Sequence, residues 1–158
     1  MMYRVRASMT TIYAGIGSRE TPELILDYME YRAKVYGSRG YRLRSGGAKG
    51  ADTAYEKGHR KYSKDIEIYK PSDDIPEAAY EMAAKYHPAW DKCNGFAQSA
   101  HARNCMIVLG KNLDTPVDFI DCWTKDGKII GGTGQALRMA IDLHIPIFNL
   151  AYGHTSLY

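Results

Sequence analysis

A glycine-rich stretch, SGGAKGAD at residues 45–52, joins a strand-like run to a helical pattern and strongly constrains the fold. The run before it, residues 41–44, is short and β-prone, and apolar residues recur at helical spacing after it. Glycine permits positive φ and lets a ligand approach the backbone. The first turn of a helix offers free N–H groups and the positive end of the helix dipole. The stretch therefore predicts an anion site, best suited to phosphate.

Strand and helix patterns alternate along the chain. Strands are predicted at residues 11–16, 41–44, 65–69, 115–123 and 145–150, with helices beginning at or near Pro22, Asp52, Glu77, Phe96 and Gly131. Thr21 is expected to cap the first helix, with Pro22 in its first turn. The third helix is expected to span residues 77–86, and Gly110 to end the fourth. This alternation predicts an α/β fold, a single Rossmann-like three-layer domain with a mainly parallel sheet. Residues 1–10 are interpreted as a lead-in and residues 11–158 as the domain.

Glycine-bearing loops lie at residues 15–19, 45–50 and 131–134, each beside a predicted strand end or helix start. In an open parallel sheet, ligands bind at the carboxyl ends of the strands, near the switch in strand order. We therefore expect the three loops to form one pocket for a phosphorylated ligand. Ser18 and Arg19 supply a hydroxyl and a guanidinium for a phosphate there, unless they form a surface turn with a capping salt bridge.

Charge and cysteine usage narrow the function classes. The net charge of +3 over 158 residues permits an anionic ligand without indicating a nucleic-acid binder. No apolar run approaches the roughly 20 residues of a membrane span, and the N-terminus lacks the apolar core of a signal peptide. Cys93, His101 and Cys105 do not form a zinc set by spacing, and His87 and His101 are expected to be structural or rim residues. We expect a reduced, cytoplasmic setting, with no metal and no cofactor.

Four segments resemble one protein family. SGGAKGADTAYEKG is similar to the signature loop and helix of the DprA/Smf DNA-processing proteins, and GIGSRETP resembles their first loop. HARNCMIVLG looks like their arginine-asparagine helix, and GGTGQALRMAIDLHIPIFNL like their last loop, helix and strand. The agreement spans nearly the whole chain. The resemblance implies the SLOG superfamily of Rossmann-like nucleotide binders, which includes the LOG and YspA families, in a compact form common in phage genomes. It is specific for fold and much less so for function.

One motif departs from the LOG phosphoribohydrolases of that superfamily. Their PGGxGTxxE motif carries a glutamate that serves cleavage of a nucleotide's N-glycosidic bond. Here Ile130 stands for the proline, Gln135 for the threonine and Arg138 for the glutamate. A loop that keeps its glycines but has arginine for the carboxylate favours binding over catalysis. We therefore assign no catalytic residue.

Ligand-binding residues are predicted on the three loops, on the arginine-asparagine helix and at the end of the fourth strand. They are Gly17, Ser18, Arg19, Ser45, Gly46, Gly47, Lys49, Asp52, Arg103, Asn104, Trp123, Gly131, Gly132, Thr133, Gly134 and Gln135. Asp52 either caps its helix or binds a ribose hydroxyl. Arg103 and Asn104 either face the pocket or tie their helix to the sheet. Trp123 either stacks on the ligand or packs in the core.

The leading functional hypothesis is non-catalytic binding of a small phosphorylated nucleotide. By analogy with superfamily members that sense NAD-derived signals in antiviral systems, the ligand class is derived from NAD or ADP-ribose. A phage-encoded protein of this kind would block host defence by sequestering the signal. Relatives pair through their helices, so the resemblance implies a homo-oligomer; we expect no membrane partner.

Two alternatives stay open from the sequence. The first is single-stranded DNA binding and recombinase loading of the DprA type, for which Arg39, Arg42 and Arg44 would form the basic patch. The second is a nucleotide N-glycosidase with a relocated carboxylate. The candidates for that carboxylate are Glu20, Asp52 and Asp121.

Overall fold

The structure, a computed structural model, describes residues 10–155, with side chains described for residues 10–152. The strands are β1 (Ile12–Gly17), β2 (Arg42–Ser45), β3 (Ile66–Ile68), β4 (Phe119–Trp123) and β5 (Ile147–Asn149). The helices are α1 (Glu23–Ser38), α2 (Ala51–His59), α3 (Glu77–Tyr86), α4 (Gly95–Leu109) and α5 (Gly131–Asp142). All but one residue of the expected lead-in, residues 1–10, lie outside the described residues. Within the described part, no helix combines the length and apolarity needed to cross a bilayer.

The five strands form one parallel sheet in the order β3-β2-β1-β4-β5. Central β1 pairs with both neighbours, so that Tyr13 lies opposite Leu43 on one side and Phe119 on the other. The chain builds outward from β1 through β2 to β3, then returns to add β4 and β5 on the opposite side. The switch in strand order therefore falls between β1 and β4, where such sheets bind ligands. This arrangement confirms the α/β, Rossmann-like fold class.

Helices cover both faces of the sheet, because successive residues of a strand point to opposite sides. One face packs against α3, α4 and α5, and its core includes Ile12, Ala14 and Ile120. The other packs against α1 and α2 around Tyr13 and Leu43. All five side chains are at most 1% exposed, so both faces of the sheet contribute to a buried core.

A buried carboxylate lies between β4 and α1. Asp121 accepts hydrogen bonds from Nε and Nη2 of Arg32, at 2.9 and 2.5 Å to Oδ2. The hydroxyls of Tyr36 and Tyr55 donate to the same carboxylate at 2.8 and 2.6 Å. Burial, reinforced by Asp121, raises the pKa of both tyrosines, so they remain donors. Asp121 is completely buried and fully engaged, which argues against its predicted alternative role as a relocated catalytic carboxylate.

The predicted cap of α1 is wrong. Thr21 Oγ1 donates to the Ser18 carbonyl at 2.5 Å and accepts no backbone N–H from the first turn of the helix. Pro22 occupies the N-cap position itself, and no side chain among residues 10–152 caps the helix. By contrast, the bounds of α3 are those expected, and Gly110 ends α4 with a φ of +86°, as its position after the apolar run predicted.

Strands β4 and β5 begin two or more residues later than predicted, because the chain turns before entering the sheet. Thr115 and Val117 donate their backbone N–H groups to Leu109 and Val108 at the end of α4, so β4 starts only at Phe119. Similarly, Ile145 donates to a carbonyl of α5 and β5 begins at Ile147. In both places the backbone first hydrogen-bonds carbonyls at the end of the preceding helix, and only then pairs with a neighbouring strand.

Candidate functional site

A cavity of about 450 Å³ opens at the carboxyl end of β1, beside the loop that follows β2. The N-terminal ends of α2 and α5 form two of its walls, and the first half of α4 forms a third. The lining residues are Ile16, Gly17, Ser18, Arg19, Glu20, Ala48, Lys49, Asp52, Phe96, Ala97, Ala100, His101, Arg103, Asn104, Ile130, Gly131, Gly132 and Thr133. All three glycine-bearing loops therefore contribute to one cavity beside the switch in strand order.

Most of the predicted ligand residues line this cavity. They are Gly17, Ser18, Arg19, Lys49, Asp52, Arg103, Asn104, Gly131, Gly132 and Thr133. The remaining predicted residues, which do not line it, are Ser45, Gly46, Gly47, Trp123, Gly134 and Gln135.

Three of the latter group support the walls from behind. Ser45 is completely buried and donates its hydroxyl to the Gly15 carbonyl at 2.6 Å, which ties β2 to β1. Gln135 is also completely buried, and its side chain bonds His101 rather than facing the cavity. Trp123 packs against the core on the α1 side of the sheet. The core-packing alternative for Trp123 therefore describes the structure.

Gly46 lies where two cavity side chains cross. A Cβ at this position would stand 2.7 Å from Asp52 Oδ2 and closer still to the Arg103 guanidinium. Such contacts are shorter than real Cβ atoms make, so a side chain here would displace both groups. Gly46 thus acts through the shape of the site. Its lack of a side chain lets the Asp52 carboxyl and the Arg103 guanidinium approach the loop backbone together.

Asp52 is the buried carboxylate of the cavity. Its Oδ2 accepts the Ala48 backbone N–H at 3.2 Å, within the loop that precedes α2. Burial raises the pKa of Asp52 to about 6, opposed by that N–H and by the nearby Arg103 guanidinium. The carboxyl therefore changes charge just below neutral pH, at a position that a ligand can reach.

Arg103 both lines the cavity and holds it together. Its Nη1 donates to the carbonyls of Gly46 and Tyr69 at 2.9 and 3.1 Å, joining α4 to the loops after β2 and β3. Its Nε donates to the Asn104 side chain at 3.0 Å. The two readings of Arg103 considered from the sequence, pocket wall and helix tie, are both realised by one guanidinium.

The N-terminus of α5 is open to the cavity. Ile130 occupies the N-cap position, and among the described residues no side chain caps the first turn. Asn104 reaches across from α4 and donates its amide to the Gly132 carbonyl at 3.1 Å, which positions this loop. The first N–H groups of a helix without a side-chain cap need solvent or a ligand as partner. An anion is the best partner, because the helix dipole adds to the hydrogen bonds.

Sequence reasoning missed the wall formed by the first half of α4. Phe96, Ala97, Ala100 and His101 line the cavity there, and Phe96 is 64% exposed. These positions recur every three to four residues, so one helical face is presented to the cavity. Burial lowers the pKa of His101, which favours the neutral imidazole. Only helical periodicity could have identified this face, and periodicity does not say what the face meets.

Arg138 does not line the cavity. Its Nε donates to the Tyr86 carbonyl at 2.8 Å, at the end of α3. The residue that matches the hydrolases' glutamate is thus engaged with α3. The position of Arg138 therefore gives no support to the expectation that this residue favours binding over catalysis.

In the basic patch expected for single-stranded DNA, two of the three arginines form ion pairs, and one of these two is buried. Arg42 pairs with Asp65 at 2.7 Å, and Arg44 pairs with Glu67 at 2.7 Å. Arg44 is only 3% exposed and donates a further bond to the Thr115 carbonyl, so it cannot contact a phosphate backbone.

No protein-family model, curated protein or solved structure matches this chain. The resemblance to DNA-processing proteins therefore stays a prediction made from the sequence.

Proposed function

We propose that the cavity binds a small phosphorylated nucleotide. One observation carries the proposal: two helix N-termini and three cationic side chains surround one cavity beside the switch in strand order. The cations are Arg19, Lys49 and Arg103. Helix N-termini and flexible or planar cations are the groups that bind phosphate oxygens. A carboxyl and apolar helical wall complete a site for the sugar and the base.

The size and polarity of the cavity fit such a ligand. At about 450 Å³ it lies within the ~300–1,000 Å³ of small-molecule sites. We place the phosphates between the α5 N-terminus and Lys49, where the backbone N–H groups are open. The base then lies against Phe96 and the neighbouring alanines, since an exposed aromatic ring offers a stacking surface. Asp52 would then accept a hydrogen bond from a ribose hydroxyl.

The ligand class that we propose is derived from NAD or ADP-ribose. This choice, and the sequestration of a host immune signal by a phage protein, are inferred from the superfamily resemblance alone. The cavity contributes only the requirement for phosphate, sugar and an apolar ring. ADP-ribose and NAD are therefore the first probes, with AMP and inorganic phosphate for comparison.

Isothermal titration with these four compounds tests the proposal. We expect saturable binding of at least one nucleotide, much tighter than that of inorganic phosphate. Replacing Lys49 with alanine should weaken binding about tenfold, since a charge-assisted phosphate bond is lost. Replacing Lys61, an exposed lysine outside the cavity, should change nothing. The proposal would be excluded if no nucleotide produced either a heat of binding or a thermal shift.

One observation favours a second candidate, a nucleotide N-glycosidase. Of the three carboxylates considered from the sequence, Asp52 lies in the cavity and has a pKa raised to about 6. General acid-base groups work best when their pKa lies near the working pH. Glu20 also lines the cavity but is exposed and paired with Lys125 at 3.6 Å. The test is chromatography after incubation with AMP or NAD. Release of free base would support N-glycosidase activity, whereas intact nucleotide would leave non-catalytic binding as the proposed function.

A further inference from the structure

Three metal-ligating side chains meet beside the α4 wall of the cavity. His87 follows the last residue of α3, Cys93 follows a short turn of helix at Trp90–Lys92, and His101 lies in α4. One donor atom from each lies within 4.8 Å of the other two. The sequence spacing concealed this group, because the turn between α3 and α4 folds back to bring His87 onto the face that carries His101.

The separations suit a tetrahedral zinc ion. Cys93 Sγ lies 3.6 Å from His87 Nε2, and the rings of His87 and His101 are 4.4 Å apart at their centroids. Zn–S and Zn–N bonds of about 2.3 and 2.1 Å at a tetrahedral angle place the two ligand atoms ~3.6 Å apart. An ion can thus occupy the space between these donors with small adjustments.

The third ligand is held in the form that binds metal. Gln135, completely buried, faces the Cys105 sulfur with its amide nitrogen at 3.9 Å and His101 Nδ1 with its amide oxygen at 2.8 Å. The Cys105 thiol donates in turn to the His101 carbonyl. An amide oxygen accepts, so Nδ1 carries the hydrogen and Nε2 keeps its lone pair free. Zinc-bound histidines are oriented by such an outer hydrogen bond.

We propose that His87, Cys93 and His101 bind one zinc ion. Three protein ligands leave a fourth position for water or another ligand, which is the pattern of open rather than purely structural zinc sites. Binding breaks two hydrogen bonds of the metal-free structure: the Ala89 N–H donates to His87 Nδ1 at 3.0 Å, and the Cys93 thiol donates to the Ala89 carbonyl. Two coordinate bonds replace them when His87 turns to the ion and the thiol releases its proton to solvent.

The zinc site does not depend on the proposed nucleotide. His101 belongs both to the cavity wall and to the cluster, whereas His87 and Cys93 do not line the cavity. The ligand chemistry, two imidazoles and one thiolate, selects borderline-soft ions such as zinc over magnesium or calcium. Metal binding is therefore measured on the free protein, and its failure would leave the nucleotide proposal untouched.

Cobalt substitution tests the site directly. The reduced, metal-free chain is titrated with Co²⁺ in the absence of oxygen and followed by absorption. We expect one equivalent of tetrahedral Co²⁺, with a thiolate-to-cobalt charge-transfer band that one equivalent of Zn²⁺ abolishes. A spectrum that stays that of hydrated Co²⁺ overturns the proposal, and so does a bound ion without the thiolate band.

Variants identify the ligands. Cys93→Ser should remove the charge-transfer band, while His87→Ala and His101→Ala should each weaken Co²⁺ binding at least tenfold. The matched controls are Cys122→Ala, which removes a thiol elsewhere in the core, and His144→Ala, which removes an exposed histidine; both should retain the band. Circular dichroism confirms that each variant is folded. A band that survives in folded Cys93→Ser, or vanishes in folded Cys122→Ala, contradicts the assignment.

One further substitution separates a ligand from a residue that orients it. Gln135→Leu keeps all three donors but removes the acceptor of the His101 Nδ1 hydrogen. We expect the charge-transfer band to remain while affinity falls about 10- to 100-fold, as for other outer partners of zinc ligands. Unchanged affinity in a folded Gln135→Leu protein would show that His101 is not a ligand held in this way.

Discussion

The guanidinium of Arg32 and the carboxylate of Asp121 form a buried ion pair, 2.5 Å apart, between α1 and the central part of the sheet. The Asp121 side chain has no exposed surface and that of Arg32 only 13%. A buried charge persists only when its partners satisfy it, and here two tyrosine hydroxyls complete the set. This pair fixes α1 on the sheet.

Replacing Asp121 with alanine should lower the free energy of unfolding by about 3–5 kcal/mol, because it leaves the Arg32 charge buried without its partner. Urea denaturation, with the slope checked for two-state behaviour, measures the change. The control is Lys57→Ala, which breaks an exposed pair with Glu30 and should cost less than about 1 kcal/mol. Equal effects of the two substitutions would contradict this account of Asp121.

The pKa of Asp52 predicts a pH dependence of stability. The carboxyl binds its proton more tightly when folded, with a pKa of about 6 against 3.8. Its contribution therefore favours folding at low pH and is lost as the pH rises through 6. Between pH 4.5 and 7 the wild type should lose about 2 kcal/mol relative to Asp52→Asn. Paired urea titrations measure this difference, and a difference that does not vary with pH would refute it.

Two glycines of the site should respond oppositely to alanine. A Cβ at Gly46 collides with Asp52 and Arg103, so Gly46→Ala should destabilise the protein by about 1–3 kcal/mol and abolish nucleotide binding. A Cβ at Gly132 meets no atom of the described residues within 4 Å, and alanine there should be neutral or stabilise α5 by up to about 1 kcal/mol. Thermal unfolding and titration calorimetry on both variants provide the test. Loss of stability in Gly132→Ala would show that the loop is tighter than described.

Arg103→Lys should be a damaging substitution despite keeping the charge. One guanidinium serves two loop carbonyls and a neighbouring amide, and an ammonium cannot reproduce that planar set. We expect a loss of about 1–3 kcal/mol as buried acceptors lose their donor. Arg60→Lys, in a surface pair with Glu56 at the C-terminal end of α2, serves as control and should change stability by less than about 0.5 kcal/mol. Chemical denaturation of the two variants should separate them clearly.

The fold was predictable because its signals are local. Alternating strands and helices, with glycines at their junctions, indicate a parallel sheet, and Gly110 ends α4 where expected. The strand ends were less predictable. The backbone of Thr115 and Val117 pairs with α4 instead of the sheet, and composition cannot distinguish these partners. Likewise Thr21 has the chemistry of a cap but bonds the Ser18 carbonyl instead.

The candidate site was predictable on the loops and not on α4. Strand ends converge by topology, so Ser18, Lys49 and Thr133 could be placed at one cavity edge from their positions in the chain. His101 reaches the same cavity only because α4 packs against α3 and α5, so that its first half lies beside the N-terminus of α5. The grouping of His87 with Cys93 and His101 depends on the same tertiary packing.

The Arg32–Asp121 pair lies on the α1 side of the sheet and takes no part in lining the cavity. A substitution there changes how much of the protein is native at any moment, and leaves unaltered the intrinsic affinity of each native molecule. Abundance in a cell and affinity in a test tube would then diverge for such variants. A screen that scores only cellular activity would rank Arg32 beside Arg103. Arg32 sets the fraction of molecules that are folded, whereas Arg103 sets the shape of the cavity in each folded molecule.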